Sequence, residues 1–165
     1  MSIRPLTTYL AAVLMPFDFQ DCLVPYAKHG LSFLYPDIWE LHEESEGTDI
    51  TISLAPCATS FWTLRMMHEC PPPPQVVESC IAAFQEEYDE LEESESKVMI
   101  SGMPAFSRDL EFICLELTNS VGLASVRTSE FTLLVWWQGT DLDLEEFRPI
   151  FDHITRSIQI DALVD

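Results

Sequence analysis

The chain has few basic residues, and this shortage excludes several classes of partner. Eight Lys and Arg stand against 28 Asp and Glu among 165 residues, for a formal net charge of −20. A surface of that sign repels the phosphate backbone of nucleic acids and anionic lipid headgroups. We therefore expect no nucleic-acid or membrane-surface binding, and a protein partner whose contact surface is basic. Plain solubility, or adaptation to a salty cytoplasm, is the alternative explanation of the charge.

Long apolar runs, paired cysteines and an export signal are also missing. No stretch approaches the roughly 20 apolar residues that a membrane span needs. The five cysteines lie at irregular spacings, which is typical of reduced thiols rather than of a disulfide framework. Apolar residues 9–15 follow Arg4, but Pro16 interrupts the run and no small-residue cleavage site comes after it. These absences predict a cytoplasmic protein.

Motifs for catalysis and metal binding are absent as well. Ser60 has no nucleophile-elbow glycines around it, and His153 falls between core residues of a predicted helix, so a Ser–His triad is not expected. His68, Glu69 and Cys70 offer metal-ligating atoms, but no second pair of ligands has zinc-type spacing. We expect no metal, no cofactor and no enzymatic activity.

The chain does contain short alternating strands and two amphipathic helices. Residues 50–54 alternate at period two, as a half-buried strand should. A helix is predicted from about residue 75 to 92, after four consecutive prolines, and a second over 143–158 with Asp141 or Asp143 as its N-cap. Their apolar stripes are Val77, Ile81, Phe84, Tyr88 and Leu91 in the first, and Phe147, Ile150, Phe151, Ile154 and Ile158 in the second.

The remaining segments complete the predicted organisation. Residues 1–29 form an arm that packs on the domain or on a neighbouring subunit, because the arm has too many hydrophobic residues for a free tail. The polar, acidic segment 42–49 indicates a solvent-exposed loop, and segment 119–122 indicates a turn between two strands. One domain over 30–160 follows, and a homodimer is expected.

Strands joined by short connectors are antiparallel, and each helix has one apolar face to bury. The near-continuous apolar run of residues 131–137 indicates a strand that is buried on both sides. The predicted fold class is therefore α+β, an α-β-α sandwich around a mostly antiparallel sheet.

The order of these elements resembles the family that groups PsbP proteins with Mog1. The likeness rests on the opening GLSFLYPDIW of residues 30–39, on the helix leading to ISGMPA at 100–105, and on the closing segment 136–158. The resemblance implies an α-β-α sandwich that acts as an assembly or binding factor rather than as a catalyst. It points to a bacterial relative, and neither Ran binding nor support of a manganese–calcium cluster carries over to these residues.

Two groups of charged residues are candidate sites. The first is an acidic run predicted to lie on the helix and its tail, with Glu86, Glu87, Glu90 and Glu93 as the expected partner-binding residues. The second is an anion-recognising patch across the sheet with Trp62 or Trp137 beside it, formed by Arg65, Arg108 and Arg127. The alternative for the arginines is local pairing with carboxylates such as Asp109, Glu111 or Glu116.

The sequence thus favours a non-catalytic protein-binding or assembly module with an acidic surface for a basic partner. A small hydrolase or a small-ligand-binding protein is the alternative. A pocket with convergent polar side chains would favour the alternative, and a flat patch rimmed by acids would favour the module.

Overall fold

The computed structural model describes residues 21–161 of the chain. Within that range the strands alternate with two helices in the order predicted by the sequence. In chain order the elements are β1 (Leu23–Lys28), β2 (Leu31–Pro36), β3 (Glu40–Glu46), β4 (Asp49–Cys57), β5 (Ser60–Met67), α1 (Pro73–Glu87), β6 (Glu92–Glu95), β7 (Met99–Ile100), β8 (Met103–Pro104), β9 (Phe106–Cys114), β10 (Leu117–Arg127), β11 (Thr132–Thr140), α2 (Asp141–Ser157) and β12 (Gln159–Ile160).

A seven-stranded sheet forms the centre of the molecule, in the order β3-β4-β5-β11-β10-β9-β6. Its neighbouring strands are all antiparallel. A small antiparallel sheet, β1-β2-β12, and the hairpin β7-β8 lie beside it. Strands β3 and β6 are therefore the two edges of the large sheet.

The two helices cover opposite faces of the large sheet, which we name the α1 face and the α2 face. On the α1 face, Val77 and Ile81 pack with Leu134 and other residues of β9–β11. On the α2 face, Phe151 and Ile154 pack in a larger cluster that includes residues of β2, β4 and β5. Strand β11 contributes to both clusters, as its apolar run predicted. The α-β-α sandwich around an antiparallel sheet is confirmed.

Helix α1 ends earlier than predicted, at Glu87 rather than near residue 92. Tyr88 already has extended backbone, yet Tyr88 and Leu91 pack in the same cluster as the helical stripe. The apolar period therefore continued past the end of the helix. Carboxylates near a helix C-terminus oppose the macrodipole, and the last turn of α1 has no basic residue to offset them.

Helix α2 begins with a capping box, and its N-cap is Thr140 rather than Asp141 or Asp143. The Thr140 hydroxyl accepts a hydrogen bond from the Asp143 amide at 3.2 Å, and the Asp143 carboxylate accepts one from the Thr140 amide at 3.4 Å. The arrangement satisfies two backbone donors that a helix start otherwise leaves unpaired.

Two segments that were predicted to connect strands belong to strands themselves. Residues 42–49 were expected to form a loop, but most of them belong to the exposed edge strand β3. The turn expected at 119–122 lies inside β10; the reversal occurs at Leu115 and Glu116, whose φ angles are 53° and 65°. Turns of this kind are usually recognised by glycine, and because neither residue here is glycine, the sequence did not indicate the turn.

The end of the predicted arm belongs to the domain. Residues 23–28 form β1 and pair with β2 across the turn at Gly30, so the boundary assigned at residue 30 falls inside a hairpin. The rest of the arm, residues 1–20, lies outside the described residues. Neither helix in the described range is long and apolar enough to cross a bilayer.

Candidate functional site

The four glutamates predicted to bind a partner occupy three different kinds of backbone. Glu86 and Glu87 end α1, Glu90 lies in the connection, and Glu93 belongs to edge strand β6. All four are exposed. Glu93 is not a free carboxylate, because Arg108 Nε lies 3.5 Å from its Oε2 atom. The acidic run is therefore a helix end joined to a sheet edge, not one helical face.

The three arginines of the predicted anion patch share the α1 face but do not converge. Arg65 pairs with Asp49 at 3.1 Å, and Arg127 donates to the Cys70 carbonyl at 3.3 Å. Arg108 lies between Glu93 and Glu95 and covers the Phe106 ring, with 4.3 Å from its Cζ atom to the ring centroid.

Arg65 and Arg108 thus pair with carboxylates, as the alternative interpretation expected, although not with the predicted ones, whereas Arg127 contacts a backbone carbonyl. Trp62 and Trp137, expected beside the patch, pack in the core on the α2 face.

The residues considered for catalysis or metal binding are dispersed. Ser60 contacts the Cys57 thiol, and Ser101 accepts from the Ile160 amide. His68 hydrogen-bonds to the Thr48 carbonyl. All five cysteines are free and, among residues 21–161, no group of three or more His, Cys, Asp or Glu is placed to hold a metal ion.

Seven exposed glutamates lie along β6, on its partner strand β9 and at or after the end of α1, and we name this set the acidic edge. Its members are Glu86, Glu87, Glu90, Glu92, Glu93, Glu95 and Glu111. Glu92 lies directly opposite Glu111 in the β6–β9 register. Like charges at directly opposite positions destabilise a sheet. In the described part of the chain neither Glu92 nor Glu111 forms an ion pair, so the repulsion between them is not offset.

The other edge, β3, is also acidic, and two of its four glutamates, Glu40 and Glu43, have partners. Glu43 accepts a hydrogen bond of 2.6 Å from the Tyr26 hydroxyl and lies 3.1 Å from His29 Nε2. Charged edge strands are a common protection against pairing between sheets. The two edges therefore differ in one respect: the acidic pair opposed at β3, Glu46 and Asp49, has Arg65 beside Asp49, and the pair opposed at β6, Glu92 and Glu111, forms no ion pair within residues 21–161.

Glu43 supplies a prediction about pH. Hydrogen bonds from Tyr26 and His29 hold the pKa of Glu43 below its usual value. A carboxyl with a lowered folded pKa adds stability above its unfolded pKa, and that stability is lost as the pH falls through the folded pKa. We expect Glu43→Gln to lower the free energy of unfolding by up to about 1 kcal/mol at pH 7, and to have a smaller effect at acidic pH, near pH 3.

Urea denaturation at both pH values measures the Glu43 effect. Glu44→Gln is the matched control, because Glu44 is an exposed neighbour on the same strand that faces Thr51 across the register. An equal loss for Glu43→Gln at both pH values would contradict the assignment.

A cleft of about 300 Å³ lies on the α2 face, between α2, the residues before β7, and strands β9 and β10. Trp137 forms one wall, and its indole ring lies over the backbone of Gly122, where a side chain would overlap it. Apolar residues complete this wall: Val98, Leu123, Ala124 and Val135. A second cavity continues past Trp137 to Glu92 and Glu111 on the acidic edge.

The centre of the cleft holds an ion-pair cluster. Arg148 stacks on Trp137, with 4.1 Å from its Cζ atom to the ring centroid. Its guanidinium lies 3.2 Å from Asp152 and 3.9 Å from Asp109. Burial raises the pKa of the Asp109 carboxyl, and the Arg148 charge and the Ser96 hydroxyl act in the opposite direction. Convergent polar groups against an apolar wall are typical of ligand sites.

No sequence motif marks this cleft. Its charged residues are far apart in the chain and come together only through the strand order. One local signal was present: a glycine inside a strand often marks a close approach of another group. Gly122 was instead interpreted as part of a turn.

Neither a protein-family model nor a curated protein matches the chain. Solved structures do match. The cyanobacterial PsbP protein CyanoP of Synechocystis sp. PCC 6803 is similar over 84% of this chain and 92% of its own, with a TM-score of 0.51 and 13% identity. LpqN of Mycobacterium tuberculosis, described as involved in cell envelope biogenesis, is similar over 87% of this chain and 95% of its own, with a TM-score of 0.50 and 13% identity.

A Bacteroides thetaiotaomicron protein matches 82% of this chain at 14% identity, with a TM-score of 0.49. The match covers 47% of that protein, so this chain spans about half of its length. The identities are too low to transfer an activity or a partner, and the likeness to CyanoP and LpqN shows the fold alone. This chain has a PsbP-like α+β fold.

Proposed function

We propose that the protein is a non-catalytic binding or assembly module whose acidic edge recognises a basic surface of a protein partner. The observation that carries this proposal is the register that places Glu92 opposite Glu111 without a cation between them. A basic side chain of a partner would remove that repulsion and gain two charge-assisted hydrogen bonds. Complementary charge of this kind raises association rates and weakens as salt screens it.

The position of the acidic edge also supports the proposal. In the described part of the chain β6 pairs only with β9, so one side of its backbone is open to a partner strand. The net charge of −20 extends the attraction beyond these residues. We place this binding in the cytoplasm, on the grounds of irregularly spaced cysteines.

The test reverses charge at the acidic edge. A partner is captured from the native cell with the full chain, and its association with purified variants is measured by surface plasmon resonance at low and high salt. Glu92→Lys with Glu111→Lys should slow association about tenfold at low salt. Glu86→Lys with Glu87→Lys should have a smaller effect in the same direction, because these residues lie at the end of α1.

The control variant has the same change in net charge at the other edge. Glu40→Lys with Glu44→Lys alters two exposed residues of β3 and should leave association near the wild-type rate. Equal slowing by both pairs would show a general charge effect and would contradict a specific edge. An association rate that changes neither with salt concentration nor with the charge reversals would overturn the proposal. Turnover of a substrate in a broad hydrolase screen would overturn it as well.

The module is further proposed to form a homodimer to which the N-terminal residues contribute. Their hydrophobic content motivates this, and two-fold pairing is the commonest oligomer. We expect light scattering to give a dimer mass for the full chain and a monomer mass for a chain shortened to begin at Asp21. Beginning there keeps β1, which the sheet needs. The same monomer mass for both chains would contradict the prediction.

A further inference from the structure

Several of the few basic residues of the chain line one cleft. Three of the eight Lys and Arg line the cleft beside Trp137, namely Lys97, Arg148 and Arg156. The charged residues facing them are two carboxylates, Asp109 and Asp152. Three cations against two anions leave one positive charge, in a chain whose net charge is −20. We propose that this cleft binds a small organic anion, a monocarboxylate with a short apolar chain.

Two of the three cations are available to a ligand. Arg148 is held by Asp109, Asp152 and the Trp137 ring. Lys97 and Arg156 are exposed, and neither forms an ion pair within residues 21–161. Both line the cleft and are exposed, so they can bind a carboxylate while Arg148 keeps its position.

The residues that line the cleft indicate the chemistry of the rest of the ligand. Val98, Leu123, Ala124 and Val135 line the cleft next to the indole ring, so an apolar chain is buried there rather than left in water. The volume of about 300 Å³ is at the small end of ligand sites. Asp109 and Asp152, together with the acidic edge beyond Trp137, repel polyanions such as nucleotides. One carboxylate matches the single unbalanced positive charge.

Binding is tested with hexanoate on the full chain labelled with ¹⁵N. We expect saturable shifts of the amide signals that line the cleft, including those of Gly122 and Ala124. Hexanamide has the same chain without the charge and should bind about tenfold more weakly, because it lacks a charge-assisted hydrogen bond. Hexylammonium should give no saturable shift at these residues. Equal binding of hexanoate and hexanamide, or no saturation with hexanoate, would overturn the proposal.

Variants identify the residues that bind the carboxylate. Lys97→Gln with Arg156→Gln should weaken hexanoate binding about tenfold, and both residues are exposed, so the fold is retained. Asp109→Asn removes a facing negative charge and should strengthen binding. Lys28→Gln is the control, because Lys28 is an exposed cation outside the cleft. Wild-type affinity in the double variant, or the same loss in Lys28→Gln, would contradict the assignment.

A further titration distinguishes a small organic acid from the C-terminus of a peptide, because both have a carboxylate. A capped tripeptide, acetyl-Ala-Ala-Leu with a free carboxylate, is titrated beside hexanoate. Weaker binding of the tripeptide supports a small organic acid, and tighter binding would overturn that ligand class. The site does not depend on the acidic edge, so these titrations need no protein partner.

Discussion

Replacing Trp62 by alanine is expected to lower the free energy of unfolding by about 3–5 kcal/mol. The Trp62 side chain is fully buried and its ring lies 5.1 Å from that of Phe33, centroid to centroid. Its indole N–H donates to the Thr155 hydroxyl at 3.0 Å. Trp62 therefore joins β5 to β2 and to α2, and its removal leaves a cavity where three elements meet. Urea denaturation followed by circular dichroism measures the loss.

A loss of that size is a large part of the stability of an ordinary domain, so a milder variant is needed beside it. Thr155→Val keeps the packing but leaves the Trp62 indole N–H buried without its acceptor, which should lower stability by about 1–3 kcal/mol. Leu115→Ala is the control, because Leu115 is 90% exposed in the β9–β10 turn. Its effect should stay within about 0.5 kcal/mol. A loss in Trp62→Ala no larger than in Leu115→Ala would contradict the role assigned to Trp62.

The sequence predicted the elements of the fold better than their ends. Local periodicity found the two helices and most strands, because each pattern reports which side of an element is buried. The end of α1 was missed for a related reason. Tyr88 continues the apolar stripe from extended backbone, so the pattern alone does not reveal where the helical hydrogen bonds stop.

The candidate sites were harder to predict than the fold. The acidic run was visible as composition, but the repulsion between Glu92 and Glu111 depends on a register that sequence spacing does not contain. The cleft depends on the same kind of information. Lys97, Asp109 and Arg148 come from three separate segments, and only the order of the strands brings them to one cavity.

Gly122 is the second position where a large effect is expected. Trp137 lies directly opposite Gly122 in the β10–β11 register, and a Cβ atom at residue 122 would overlap the indole ring. Trp137 is 7% exposed, so the ring has little free space to move into. Elsewhere in a strand, alanine stabilises relative to glycine by roughly 0.5–1 kcal/mol. At this position the overlap with the indole ring outweighs that gain, and Gly122→Ala should lower the free energy of unfolding by about 1–3 kcal/mol.

The cause of that loss can be separated from a general effect on β10. Ser120→Ala changes the preceding residue on the same face of the strand, and should alter stability by at most about 0.5 kcal/mol. If the indole ring is what opposes the new Cβ atom, the cost of Gly122→Ala falls when Trp137 is also replaced by phenylalanine, because residues in contact do not behave additively. Urea denaturation of the two single variants and the double variant measures this coupling. An unchanged cost in the Trp137→Phe background would mean that the glycine is needed for another reason. A reduced cost would show that Gly122 leaves the space which the Trp137 ring fills, the ring on which Arg148 stacks.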